Sequence, residues 1–303
     1  MEKKDFSLKK GIVIEFLVKK YLILDLKTKE QIYAQYKGRL KNKVNKIDIK
    51  IGDIVLYEYK SENFLIYNIL PRKNFLSRPN IANIDQVFLI FSLIKPCLQF
   101  KLLDKFLLIL AKKKLKVILI FTKIDLLNKE KLFFFKRKIS YYEKFYSIYF
   151  VNSQNKLNLS FLFPFFKNKL TIFTGQTGVG KSTLINSLTN SNIATQVVSN
   201  LFNRGKHTTK NSKLYIFKEG YIADTPGFSK LFLFNIDLKE IKNFYNDFLM
   251  FSYKCFFGES CLHIKESCCG VKEAYQKGLI LNLRYKNYLS FCEEISKKNK
   301  KNF

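Results

Sequence analysis

Three short stretches carry residues that could handle a nucleoside triphosphate. "GQTGVGKS" (175–182) fits the spacing G-x-x-x-x-G-K-[ST] at every position, after the apolar "LTIF" and before "KSTLINSL". A strand, a glycine-rich loop and a helix in that order aim successive backbone N–H groups at phosphate oxygens. Gly175, Gly178 and Gly180 let the chain wrap closely, and Gln176, Thr177, Val179 and Thr183 complete the cradle. Lys181 is spaced to reach the β- and γ-phosphates, and Ser182 to ligate Mg²⁺.

The loop alone does not choose the base. "DTPG" (224–227) adds Asp224 at a strand end, holding Mg²⁺ through water, and Gly227, whose N–H can meet the γ-phosphate and sense its loss. "TKID" (122–125) supplies Asp125, whose two carboxylate oxygens match the N1–H and exocyclic amine of guanine. Adenine has no such donor pair, so a buried Asp there selects guanine. The Lys123 stem can lie along the ring face. Alone, "TKID" reads better as a strand-end coincidence; beside the other two motifs it reads as a base reader. Ser153, in "VNSQNK" (151–156), stands where a small residue lets backbone approach guanine, though an ordinary loop serine fits the same sequence.

The order is unusual. In a typical GTPase the phosphate loop comes first. Here it runs "TKID", Ser153 loop, phosphate loop, "HTT", "DTPG". A cyclic rotation of the usual order gives this series, and rotation is cheap where termini lie close together.

A second chemistry sits near the C-terminus. Four of the 6 cysteines fall within 255–269. Cys255, Cys261, His263 and either Cys268 or Cys269 form C-x5-C-x-H-x4/5-C, and the chain has only 2 His, the other being His207. Three thiolates and one imidazole suit a closed tetrahedral zinc site, which leaves no open position for catalysis and is therefore structural, with one ion per chain.

The elements that position these groups can be read from periodicity. Residues 11–70 hold short alternating strands such as "YLILDL" and "DIVLYEY", which predict a small β-barrel, best matched by the oligonucleotide-binding (OB) barrel. "PRKNFLSRPNIANID" (71–85) breaks the pattern. From about 84, β-rich runs such as "QVFLIFS" alternate with helical patterns, predicting an α/β sheet. Helices follow from 238. The reading is multidomain: OB-fold β-barrel 1–72, linker 73–83, circularly permuted GTPase domain 84–240, and a mainly helical zinc-binding domain 241–303. The 303 residues are 47% hydrophobic, enough for real cores. No apolar run could span a bilayer and the N-terminus lacks a signal-peptide core, so a cytoplasmic protein with no membrane partner is expected. The formal charge of +30 points to polyanions, nucleic acid first, although lysine excess also follows from an AT-rich coding sequence.

With these motifs in order, the chain resembles the circularly permuted, ribosome small-subunit-dependent GTPases (RsgA/YjeQ type) over nearly its whole length. "KGRL", "GDIV", "PRKNFLSRPNIANIDQ", "TKID", "GQTGVGKSTLIN", "GKHTT", "DTPGF" and "CFFGESCLHIKESCCGVKEA" carry the resemblance. It implies GTP and GDP as ligands with Mg²⁺, the small ribosomal subunit and its rRNA as partners, and action late in that subunit's maturation. The expected chain is a monomer. The resemblance also points to His207 as the residue that positions water and, by alignment, to Thr209 over Thr208 as the second Mg²⁺ hydroxyl. It selects Cys269 over Cys268 as the fourth zinc ligand. Two departures from the family stand out. Thr122 replaces an Asn that would bond guanine N7 and brace the phosphate loop, keeping a hydroxyl but losing reach. In the Cys cluster, Cys268 takes a place where the family often has Gly, and the Cys255–Cys261 spacing is one residue longer than usual. Apart from the family comparison, Phe228 occupies the place where many GTPases carry a water-orienting Gln. Rival readings are an RNA-binding assembly factor with a weakly hydrolytic G domain, and a GTPase serving another RNA such as tRNA.

Overall fold

The computed structural model describes residues 8–18, 20–36, 48–77, 79–190, 213–224 and 236–299. Strands β1 (Lys9–Leu17), β2 (Lys20–Asp25), β3 (Gln31–Tyr36), β4 (Ile54–Lys60) and β5 (Asn63–Ile69) close a barrel in the order β1-β2-β3-β5-β4. β3 pairs with β5 in parallel, while the other pairings are antiparallel. Five strands closed in this order are an OB barrel. The inward residues follow the two-residue period of a strand. Ile32 and Ala34 of β3 are buried while Gln31 and Tyr33, alternating with them, face out. With Val13, Ile23, Val55 and Ile66 they fill the interior. Within residues 73–83, the stretch expected as linker, two short strands, β6 (Phe75–Leu76) and β7 (Ile81–Ala82), pair antiparallel, and the Ala82 N–H donates to the Ile51 carbonyl at 2.8 Å.

Six further strands form one sheet: β8 (Gln86–Ser92), β9 (Lys116–Thr122), β10 (Ser147–Phe150), β11 (Leu170–Gly175), β12 (Lys213–Phe217) and β13 (Gly220–Asp224), in the order β10-β9-β8-β11-β13-β12. β10 runs parallel to β9 and β11 to β13, with β12 antiparallel at the edge. β8 and β11 are buried at every residue, which explains why their sequences are continuous apolar runs rather than alternating ones. Gln86, Ser92, Thr171 and Thr174 are the buried polar side chains among them, and Gln86 donates to the Thr171 hydroxyl at 2.9 Å and to the Phe165 carbonyl. Helices α1 (Phe100–Lys112), α2 (Lys129–Glu143) and α3 (Lys181–Asn190) belong to this α/β part, and α4 (Asn246–Ser252), α5 (Gly270–Gln276) and α6 (Asn282–Asn299) to the C-terminal part.

Compactness divides the chain into two units, neither a single stretch: 1–88 with 153–175 and 181–228, and 89–152 with 176–180 and 229–303. The second unit is pinned by a buried polar network. Arg284 of α6 donates to Asp104 of α1 at 2.5 Å and to Asp247 of α4 at 2.7 Å. Asn287 and Tyr142 also donate to Asp104, at 2.6 and 2.9 Å, and Tyr141 donates to Asp247 at 2.8 Å. A buried guanidinium is tolerable only when its charge and donors are met this fully.

Candidate nucleotide site and metal cluster

β11 ends at Gly175, the chain turns through 176–180, and α3 begins at Lys181. The first turn of α3 leaves backbone N–H groups without intrahelical partners, which is the property a phosphate needs. Gly178 and Gly180 adopt φ of +80° and +95°. A Cβ at either would meet nothing closer than 3.7 Å, so backbone conformation rather than crowding requires glycine there. The Lys181 ammonium donates to the Gly175 carbonyl at 2.9 Å, folded back over the loop it closes. Ser182 and Thr183 are exposed, and Gln176, Thr177 and Val179 run from half-buried through exposed to buried.

The guanine motif meets this loop directly. β9 delivers Thr122, only 2% exposed, whose hydroxyl donates to the Val179 carbonyl at 2.5 Å, with the Phe91 carbonyl at 3.3 Å. The Thr hydroxyl therefore does one of the two jobs expected of Asn at this place: it braces the phosphate loop. It has no second arm for the base. Lys123 sits in the left-handed region at φ 59°, and its ammonium donates to the carbonyls of Gly178 at 2.7 Å and Lys95 at 2.5 Å. Its head thus ties down the loop while its stem stays available to a ring. Asp125 lies in a single 3₁₀ turn, Ile124–Leu126, and is exposed. The sequence predicts a buried carboxylate at this position; with Asp125 exposed, selectivity has to come from the base covering it.

Ser153 follows β10. Its carbonyl accepts from the Ser187 hydroxyl of α3 at 2.6 Å, while its own buried hydroxyl oxygen has no partner among the described residues. Asp224 closes β13 in register with Phe173 of β11. His207, Thr208, Thr209, Gly227 and Phe228 lie outside the described residues.

The metal cluster is compact. Cys255, Cys261, His263 and Cys269 are all buried, and their ligand atoms lie within 4.8 Å of one another. The Cys255 and Cys269 sulfurs are 3.8 Å apart, and His263 Nδ1 lies 3.6, 3.3 and 3.3 Å from the sulfurs of Cys255, Cys261 and Cys269. A tetrahedron with zinc–sulfur arms of ~2.3 Å has edges of ~3.8 Å, so these four groups fit one Zn²⁺. Cys268 is exposed and outside the cluster.

The cluster has a supporting shell that sequence reasoning did not single out. Cys269 caps α5, and the Lys272 N–H points at its sulfur at 3.4 Å. Glu266 accepts from the N–H groups of Leu262, Ile264 and Lys265 at 2.7–2.9 Å, which holds the loop around His263. Lys242 donates to the Cys261 carbonyl at 2.8 Å, and Tyr285 to the His263 carbonyl at 2.8 Å. Such outer partners fix ligand orientation. Burial pushes the Cys261 thiol up to about 12, and burial together with Lys242 pushes His263 down to about 4. His263 is therefore neutral and ready to ligate at pH 7, whereas the thiol needs a cation to leave its proton.

Comparison with known proteins follows the same lines. The family model for the RsgA GTPase matches residues 69–234. A protein of Phytoplasma mali named small ribosomal subunit biogenesis GTPase RsgA is 56% identical, over 98% of this chain and 99% of that one. Two crystal structures align with TM-scores of 0.83. YjeQ from Thermotoga maritima is 31% identical, covering 95% of this chain and 98% of its own. YloQ, described as a circularly permuted GTPase, is 28% identical, covering 98% of each chain.

Proposed function

From the premise that this chain belongs to the RsgA GTPase family, we propose that it binds the small ribosomal subunit and hydrolyses GTP there, late in that subunit's maturation. One observation carries the reading beyond kinship. The Thr122 hydroxyl bonds the Val179 carbonyl, so the guanine motif and the phosphate loop form one structure despite their inverted order in the chain.

In this reading the triphosphate lies along Gly175–Thr183. Lys181 exchanges the Gly175 carbonyl for β- and γ-phosphate oxygens, a charge-assisted contact replacing a neutral one. Asp125 and Lys123 hold the guanine, with Ser153 backing it. Ser182, Thr209 and Asp224 would hold Mg²⁺, which neutralises charge on the phosphates. His207 orients a water in line with the γ-phosphorus. The new P–O bond forms as the bond to the bridging oxygen breaks, giving GDP and phosphate. Phe228 cannot orient water, so turnover off the ribosome is slow. Zinc on Cys255, Cys261, His263 and Cys269 supplies folding energy to the C-terminal part, not chemistry. The +30 chain grips rRNA mainly through phosphates, as a cytoplasmic monomer. GTP holds the bound form and hydrolysis releases it.

The test is GTP turnover with and without purified small subunits at physiological salt. Strong stimulation supports the switch. Slow turnover that the subunit leaves unchanged would favour a passive RNA-binding factor, the reading Phe228 favours. Equal off-rates with GDP and a non-hydrolysable analogue would refute release by hydrolysis.

A further inference from the structure

Helix α2 begins just after the guanine motif and presents an outer face that the nucleotide chemistry does not use. Its inner face is set by buried Ile139 and Tyr142. On the outer side Phe133 and Phe134 are 70% and 52% exposed. Four residues on from each, one helical turn away, come Arg137 and Lys138. The Lys138 ammonium lies 4.1 Å from the centroid of the Phe134 ring. From Lys129 to Lys144 the cations are Lys129, Lys131, Lys136, Arg137, Lys138 and Lys144, against Glu130 and Glu143 alone. All six cations are exposed, and none is in a salt bridge among the described residues.

An exposed helix face in water gains nothing from two neighbouring phenyl rings. Rings set among uncompensated cations fit a polyanion that also offers flat apolar faces. Duplex RNA hides those faces in its stack; unpaired RNA exposes them. A protein partner would need an acidic complement and would leave the ring–cation pairing unused. We propose that the Phe133–Lys138 face of α2 binds an unpaired stretch of RNA, bases stacking on Phe133 and Phe134 and phosphates meeting Lys136, Arg137 and Lys138. The inference rests on the RNA-binding part of the proposed function and gives it an address. It also places the RNA on the helix that continues from the loop bearing Asp125.

The experiment measures affinity for a fluorescent unstructured RNA oligonucleotide, for a duplex of equal length and for protein-free small-subunit rRNA. It compares the full chain with F133A/F134A and with K136A/R137A/K138A. Base–aromatic stacking of ~1–3 kcal/mol per base predicts that the Phe variant loses about tenfold or more on the single strand and almost nothing on the duplex. Its salt dependence stays the same. The charge variant flattens the log–log salt slope by about 0.7 for each phosphate it no longer neutralises. Turnover without subunits is unchanged in both, which also shows that they fold. Single-strand affinity unchanged in the Phe variant overturns the inference, whatever the ribosome experiment gives. So does a Phe variant that weakens binding to intact subunits but not to protein-free rRNA, since the face would then dock a protein. Turnover indifferent to subunits, with oligonucleotide binding reduced as expected, would instead sink the ribosomal reading and leave this one standing.

Discussion

Thr122→Val isolates the hydrogen bond that joins the base reader to the phosphate loop. Valine keeps nearly the same shape, so little packing changes. What disappears is the hydroxyl, replaced by a methyl that cannot donate. Thr122 is 2% exposed and Val179 is fully buried, so no water can readily replace the donor to the Val179 carbonyl. Leaving a buried acceptor unmet costs about 1–3 kcal/mol. Part of that falls on the fold and part on the loop's ability to hold phosphates. If all of it falls on binding, at about 1.4 kcal/mol per tenfold, affinity for GDP drops about 5- to 140-fold. Titration of a fluorescent GDP analogue, beside a thermal melt, separates the two shares. Thr122→Asn should bind GDP at least as tightly as the native chain, because an amide can brace the loop and still reach the base. A Val variant that binds GDP within twofold of the native protein would refute the brace. A lowered Tm with unchanged affinity would assign the hydroxyl to the fold alone.

His207→Ala should lower subunit-stimulated hydrolysis while largely sparing GTP binding; equal turnover on subunits would remove the residue from the mechanism. Elemental analysis should find one zinc per chain, lost in Cys269→Ser and kept in Cys268→Ser; the opposite pattern would exchange their roles. Arg284→Met strips the partner from two buried carboxylates and should destabilise the chain by about 3–5 kcal/mol in urea titration, with a loss under 1 kcal/mol arguing that the network is better hydrated than its burial implies. Burial pushes the Asp25 carboxyl up, but the Tyr57 hydroxyl and the Lys27 and Thr28 N–H groups outweigh it and hold Asp25 below the usual carboxylate range. A carboxyl depressed in the fold stabilises it above its ordinary pKa and stops doing so as pH falls through the folded value. The stability gap between the native chain and Asp25→Asn should thus be full at pH 7 and shrink below about pH 4; a gap constant across that range would contradict the assignment.

The nucleotide site was legible where function is written in backbone geometry. Only glycine takes the φ of Gly178 and Gly180 readily, so the phosphate loop shows in sequence. The barrel was legible through its two-residue alternation, and β8 and β11 through unbroken apolar runs. What could not be read depends on distant residues. Nothing near Thr122 says that its hydroxyl ends on Val179, and nothing near Asp125 says that it lies exposed. Residues 73–83 looked like a break because two-residue strands leave no periodicity. Glu266, standing between His263 and Cys269, could have been suspected as the loop's acceptor, since a carboxylate beside a turn of free N–H groups tends to take them. Arg284 had a weaker signal, a rare arginine in a lysine-rich chain placed on a helix stripe with the largely apolar Tyr285, Tyr288, Phe291 and Cys292.

The network around Arg284 decides how this chain can be cut. Asp104, on the first helix after β8, depends on Arg284 and Asn287 from the last helix for its charge and most of its hydrogen bonds. A fragment ending near residue 240 would carry every nucleotide motif. It would also carry a carboxylate in an apolar niche with only Tyr142 to meet it, and the core under α1 would lie open. The motifs that define the enzyme in sequence are therefore not a transplantable module here. The last helix closes the apolar niche around Asp104, so a stable fragment that keeps α1 has to keep α6 with it.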